Sequence, residues 1–155
     1  MEEFPLDTQL IVNYLTSFVQ GNQYYLEKWR KRGFSWNWGA AFFGITWLAY
    51  RKMHLYTTLI FLINSLFGFM LGYIGMEERE FRNLLILFFL FQRVVLGIFA
   101  NLIYYVFTIK KIKNAYIKNP LISTEEIQKL GGVSAIGVFT VLLVSFCVNF
   151  LSYSF

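Results

Sequence analysis

Cysteine and histidine each occur only once in this 155-residue sequence, as Cys147 and His54. A single cysteine excludes an intrachain disulfide and a cluster of thiolate metal ligands, and a single histidine excludes a histidine pair on a metal. The sequence also has no glycine-rich phosphate loop and no nucleophile elbow. It therefore presents no catalytic residue, no metal site and no cofactor site, and we expect the protein not to be an enzyme.

Charged residues are also scarce, at 15%, whereas hydrophobic residues make up 57% of the chain. A soluble fold of this length could not bury so much apolar surface. Most of the apolar residues form three blocks of about 20 residues or more, the length that a hydrocarbon core of about 30 Å requires. The blocks are 54–75, 84–107 and 133–153. The sequence therefore predicts an all-α integral membrane protein with three transmembrane helices in a single domain, 1–155.

Two short polar regions have the pattern of helices outside the membrane. Residues 7–32 predict two amphipathic cytoplasmic helices, and Tyr14 and Phe18 share the apolar face of the first. These helices either lie on the membrane surface or pack against each other as a small cap. Further along, Ser123 or Thr124 can begin a short polar helix that ends near Gly131.

The segment 36–50 is apolar and rich in tryptophan, but basic residues flank it on both sides. As a helix it is only about 22 Å long, which is short of the membrane core. If this segment does not cross the membrane, all the basic residues outside the spans except Arg79 and Arg82 fall on one side of the membrane. The positive-inside rule then places the N-terminus in the cytoplasm and the C-terminus outside. We therefore predict an interfacial or re-entrant helix over 36–50, followed by a turn at YRKMH that has no glycine or proline.

The spans contain one charged residue, Arg93, and no aspartate or glutamate. A charge at that depth disfavours insertion by at least about 2.5 kcal/mol. The candidate polar residues are Arg93, Asn101, Asn64 and Asn149, and the candidate helix-packing glycines are Gly68, Gly72, Gly97 and Gly137. Two interpretations stay open: a path for a substrate, ion or proton, or polar contacts that hold a helical bundle together. In the second, Arg93 would extend toward the acidic residues of the 76–83 loop or toward a lipid phosphate.

The aromatic segment FSWNWGAAFFGITWLAYRKM also carries a pattern of residue types at fixed spacing. The residues that form it are Trp36, Trp38, Phe42, Phe43, Gly44, Trp47, Tyr50, Arg51 and Lys52. Together with GIFANLIYYVFTIKKI and LGGVS downstream, this pattern resembles the domain of unknown function 2628 family (DUF2628), small integral membrane proteins of bacteria. The resemblance implies a helical fold in the bacterial inner membrane, and it implies no particular activity.

Two hypotheses about function follow from these observations. The first is an accessory, regulatory or immunity-type protein that acts through helix-helix and interfacial contacts with a membrane-protein partner or with its own copies. The alternative is a homo-oligomeric pore or transporter component lined by Arg93 and asparagines, which would favour anions because the only charge in the spans is positive. The basic residues lie beside apolar spans, so we expect contact with anionic lipid headgroups and not with nucleic acid.

Overall fold

The computed structural model describes residues 8–31 and 34–153, with side chains as far as residue 148. Within these ranges the chain forms eight α-helices and no strand. The helices are α1 Thr8–Phe18, α2 Gln23–Arg30, α3 Trp38–Phe43, α4 Ile45–Tyr50, α5 His54–Tyr73, α6 Glu78–Lys118, α7 Thr124–Leu130 and α8 Ala135–Tyr153. The prediction of an all-α fold is confirmed. The predicted limits of the N-terminal helices, residues 7 and 32, and the side chain of Asn149 lie outside what the structure describes.

Three stretches of helix are long and apolar enough to cross a membrane: His54–Tyr73, Glu78–Lys118 and Thr124–Val148, the last covering α7 and most of α8. Helices α5 and α8 begin and end within two residues of the predicted blocks. Helix α6 differs, because its 41 residues extend well beyond the predicted span 84–107 at both ends. At 1.5 Å per residue it is about 60 Å long, about twice the thickness of a hydrocarbon core. No proline interrupts it, so the helix continues into its basic C-terminal part.

The chain divides into two compact units, where the sequence predicts a single membrane domain. The first unit comprises Met1–Trp36 and Phe99–Val133, and the second comprises Asn37–Ile98 and Ser134–Phe155. Helix α6 therefore contributes its N-terminal half to the second unit and its C-terminal half to the first.

The first unit has an aromatic core around Tyr104, whose side chain is fully buried. The Tyr104 ring lies 5.0 Å from Tyr25, 5.5 Å from Trp29 and 6.4 Å from Phe18, between ring centroids. Tilted and edge-on ring pairs at such distances stabilise beyond the area that they bury. The apolar faces of α1 and α2 therefore pack against α6, where the sequence predicts that they lie on the membrane or against each other.

Helix α7 packs against α1 in the same unit. The hydroxyl of Tyr14 donates to the carbonyl of Ile122 at 2.8 Å, and the N–H of Gly132 donates to the carbonyl of Phe18 at 2.9 Å. Ser123 begins α7 with a capping box, in which its hydroxyl oxygen accepts from the N–H of Glu126 and the Glu126 carboxylate accepts from the N–H of Ser123. Of the two predicted starting residues, the structure therefore has Ser123.

Candidate functional site: the aromatic segment

The part of the aromatic segment that belongs to the second unit, residues 37–53, starts at a buried asparagine. The side-chain oxygen of Asn37 accepts from the N–H of Ala40 at 2.9 Å and so caps α3. The backbone N–H of Asn37 donates to the carbonyl of Gly97 in α6 at 2.7 Å. Asn37 is only 2% exposed. These contacts fix the start of α3 directly against α6.

The predicted helix 36–50 is broken into α3 and α4 at Gly44. Gly44 has a φ of 53° and a ψ of −121°, a combination that side-chain-bearing residues strongly disfavour. Its N–H donates to the carbonyl of Ala40 and ends α3, while its own carbonyl accepts from the N–H of Trp47 and begins α4. The prediction of a single helix over 36–50 is therefore wrong, because one glycine both ends one helix and starts the next.

Arg93 from α6 closes this break. Its guanidinium Nη1 donates to the carbonyl of Phe42 at 2.5 Å, and the group packs against Gly44. The last carbonyls of a helix have no partner within the helix and carry its negative dipole end, so a cation stabilises them. The hydroxyl of Thr46 donates to the next carbonyl, that of Phe43, at 2.7 Å. In the structure Arg93 thus contacts a helix C-terminus, where the sequence interpretation had it extend toward a loop or a lipid.

The segment leaves α4 through a turn at Lys52, which has a positive φ of 58°. The N–H of Met53 donates to the carbonyl of Leu48, and the N–H of Lys52 donates to that of Ala49. This pair of bonds is the Schellman ending, in which a glycine usually holds the position of Lys52. The turn at YRKMH therefore forms without glycine or proline, at the cost of a lysine in left-handed conformation.

We expect the Lys52→Gly variant to be more stable than Lys52→Ala by about 1 kcal/mol, because glycine alone is free of the left-handed penalty. Both variants lack the lysine side chain, so their difference isolates the backbone term. Thermal unfolding of the purified protein in mild detergent measures it, as a difference of about 2–4 °C for a chain of this size. Equal unfolding temperatures would show that Lys52 is not strained.

Helix α8 packs against the end of α4. The N–H of Ser134 donates to the carbonyl of Tyr50 at 2.8 Å. Gly137 lies so close to the backbone of Ala49 that a Cβ at this position would be 2.7 Å from the Ala49 carbonyl oxygen. Of the candidate packing glycines, Gly137 therefore lies at a close approach of backbones, where only hydrogen fits.

The other candidate packing glycines differ from one another. Gly97 is buried, and its carbonyl accepts the bond from Asn37. At Gly68 and Gly72 on α5, a Cβ would meet no other atom of the described chain within 4 Å. A packing role for these two glycines therefore stays a prediction that involves a neighbour outside the chain.

The candidate asparagines have separate partners. In the first unit, the side-chain nitrogen of Asn101 donates to the hydroxyl of Ser35 at 2.9 Å, and the carbonyl of Asn101 accepts from the indole N–H of Trp29 at 3.0 Å. In the second unit, the side-chain oxygen of Asn64 accepts from the amide of Gln92 at 2.8 Å and joins α5 to α6. Ser35, Asn37, Trp29 and Gln92 were not identified as partners from the sequence. Of these residues only Gln92 could have been found from the sequence, because it is a further polar residue within a predicted span.

The aromatic side chains of the segment divide into an exposed and a buried set. Trp38, Phe42 and Phe43 are each more than 60% exposed, and the Trp38 and Phe42 rings stack at 5.7 Å. Trp47 is only 5% exposed and packs on Gly39. Exposed tryptophan is typical of a membrane–water boundary, and exposed phenylalanine is typical of the apolar face of a helix that lies there. The arrangement thus holds an aromatic surface on a hydrogen-bonded frame, and it places no acid, base or nucleophile together for chemistry.

Comparison with known proteins gives one match. A family described as "Protein of unknown function (DUF2628)" matches the chain over residues 16–109, a range that contains the whole aromatic segment and Arg93. No curated protein and no solved structure matches. Within the described residues, no group of three His, Cys, Asp or Glu side chains could hold a metal ion.

Proposed function

Since the chain belongs to the DUF2628 family, whose description names no activity, we propose that it is a non-enzymatic accessory or regulatory protein of the bacterial inner membrane. It acts by packing its membrane helices against those of a partner membrane protein. The N-terminus lies in the cytoplasm and the C-terminus outside, an orientation supported by the distribution of basic residues.

The observation that carries this proposal is the use of the polar side chains in the spans. Arg93 bonds to Phe42, and Asn64 bonds to Gln92. In each case the partner belongs to the same chain, which supports a role of these groups in holding the fold together. The same contacts favour the accessory role over a pore, which would need Arg93 to face the passing ions.

Helix α5 offers a surface for such a partner. Four large apolar side chains are exposed at helical spacing on one side of it: Leu62, Leu66, Phe69 and Tyr73. Gly72 lies within this stretch with no atom of the described chain within 4 Å of its Cβ position. Large residues beside a small one are a surface on which a second membrane helix can pack closely.

Photo-cross-linking tests the proposal in native membranes. A photoreactive amino acid replaces Phe69, which is 75% exposed, and in a matched control it replaces Leu71, which is 6% exposed on the same helix. The cross-linked products are then identified by mass spectrometry. We expect the Phe69 position to capture one membrane protein repeatedly, at least tenfold above the Leu71 position.

Two results would contradict the accessory role. One is capture of only lipid, or of only a second copy of the chain, at Phe69. The other is equal capture at Phe69 and Leu71, since a residue buried within the chain cannot reach a specific partner.

A further inference from the structure

A cleft in the second unit lies between the first turns of α5 and α8, with α4 contributing to its wall. Its volume is about 520 Å³, within the range of about 300–1,000 Å³ that binding sites for small molecules occupy. Thr58, Ile136 and Thr140 line it and are exposed, so the cleft is accessible from the side of the helices. In a bilayer, that side is occupied by lipid.

The two ends of the cleft differ in polarity. His54 and Ser134 line one end, beside the turn where Ser134 bonds to the carbonyl of Tyr50. Phe61 and Val144 line the other end, about two helical turns further along α5 and about three further along α8. The cleft thus runs from a polar mouth to an apolar interior.

Two of the three threonine hydroxyls that line the cleft between its ends already donate to the protein itself. The hydroxyl of Thr57 donates to the carbonyl of Met53 at 3.0 Å, and that of Thr140 donates to the carbonyl of Ile136 at 2.9 Å. A threonine hydroxyl that donates to its own helix has no hydrogen left to donate to a ligand. What such a threonine still offers a ligand is mainly its methyl group. The wall therefore suits a hydrocarbon chain better than water or a polar ligand.

Two basic residues directly precede the polar end of the cleft along the chain. Arg51 and Lys52 form the turn directly before His54, and no aspartate or glutamate occurs between residues 34 and 76 or after residue 126. The N-terminal ends of α5 and α8, at His54 and Ala135, add the positive ends of two helix dipoles. Lys52 is also held in a left-handed conformation that glycine would adopt more easily. Strained residues of this kind are concentrated at functional sites.

We propose that this cleft binds one anionic phospholipid. One acyl chain lies between α5 and α8, and the phosphate lies at the mouth beside His54, where Arg51 and Lys52 supply the charge that complements it. Basic residues at the membrane surface attract anionic headgroups, and the apolar interior accounts for the chain. The inference goes beyond the proposed accessory role, and either can hold without the other.

Lipid titration of the full-length chain in neutral detergent tests the site. Native mass spectrometry counts bound lipids, and thermal unfolding measures the stabilisation. The probes are phosphatidylglycerol, phosphatidylcholine with the same acyl chains, and glycerol phosphate. We expect one phosphatidylglycerol per chain, bound at least tenfold more tightly than phosphatidylcholine. Glycerol phosphate, which carries the charge without the chains, should neither bind detectably nor raise the unfolding temperature.

Charge variants locate the headgroup. Lys52→Gln should weaken phosphatidylglycerol binding about fivefold, the effect of about one basic residue near a membrane surface. Arg82→Gln is the matched control, because Arg82 is an exposed basic residue of the same unit at the start of α6. It should leave binding unchanged.

A cleft-filling variant locates the acyl chain. Val141→Phe places a larger side chain in the cleft wall and should abolish the one-to-one adduct while the helical circular dichroism is kept. If this variant fails to fold, the comparison of Lys52→Gln with Arg82→Gln still decides. Equal binding of the two phospholipids, equal weakening by the two charge variants, or a lipid-free dimer that occupies the cleft would each overturn the proposal.

Discussion

The Gly131→Ala variant should lose about 3 kcal/mol of stability, as expected when an added group meets atoms that cannot move away. A Cβ on Gly131 would overlap the backbone carbonyl oxygen of Phe18, the same oxygen that accepts the N–H of Gly132. Because that oxygen belongs to the main chain of α1, no change of rotamer relieves the overlap. The C-terminal end of α7 would have to separate from α1, and this hydrogen bond would be lost.

Thermal unfolding in mild detergent, followed by circular dichroism, measures the effect as a decrease of about 6–12 °C for a chain of this size. Gly21→Ala is the comparison in the same unit. Gly21 has a φ of 72° but no atom within 4 Å of its Cβ position, so it should lose only the left-handed term of about 1–2 kcal/mol. A loss at Gly131 no larger than the loss at Gly21 would mean that α1 and α7 do not pack as the structure has them.

The Gly44→Ala variant should have a similarly large effect, of about 3 kcal/mol, through two causes that can be separated. The first is the backbone conformation between α3 and α4. The second is steric, since a Cβ on Gly44 would lie 2.5 Å from Nη1 of Arg93. The guanidinium would have to move, and the carbonyl of Phe42 would then lose its donor.

A double-mutant cycle separates the two causes of the Gly44 effect. In an Arg93→Met background the steric term is absent, so Gly44→Ala should cost less than it does in the native background, by the size of the steric term. Gly75→Ala is the control in the same unit, because Gly75 has a φ of 69° with no atom within 4 Å of its Cβ position, so its cost should be the same with and without Arg93. The proposed contact would be refuted by a Gly44→Ala loss that is the same with and without Arg93.

The membrane spans could be predicted because the length of an apolar run is a direct physical requirement of the bilayer. Helices α5 and α8 follow this rule closely. Helix α6 also contains a span that satisfies the rule, but the helix continues to Lys118, and Tyr104 within the predicted span is covered by α1 and α2. An apolar residue that faces protein and one that faces lipid have the same hydropathy, so the sequence could not separate them.

The break at Gly44 could not be predicted for a different reason. A single glycine inside an apolar run is common in membrane helices, and only its surroundings decide whether the helix continues. Here the deciding group is Arg93, which lies 51 positions after Phe42. The sequence showed that Arg93 was costly and needed a partner. The sequence suggested acidic side chains or a lipid phosphate as that partner, whereas in the structure the partner is a backbone carbonyl of the aromatic segment.

This separation of Arg93 from Phe42 has a consequence for biosynthesis. The aromatic segment leaves the ribosome before α6, so the last carbonyls of α3 are complete in the chain while their donor has not yet been synthesised. Synthesis of α6 then supplies the donor, and the bond between the charged side chain and the carbonyl removes the cost of leaving either without a partner. Helix α8, which bonds to Tyr50, arrives last. The segment that is synthesised early is thus completed by contacts from two helices that are synthesised later, α6 and α8.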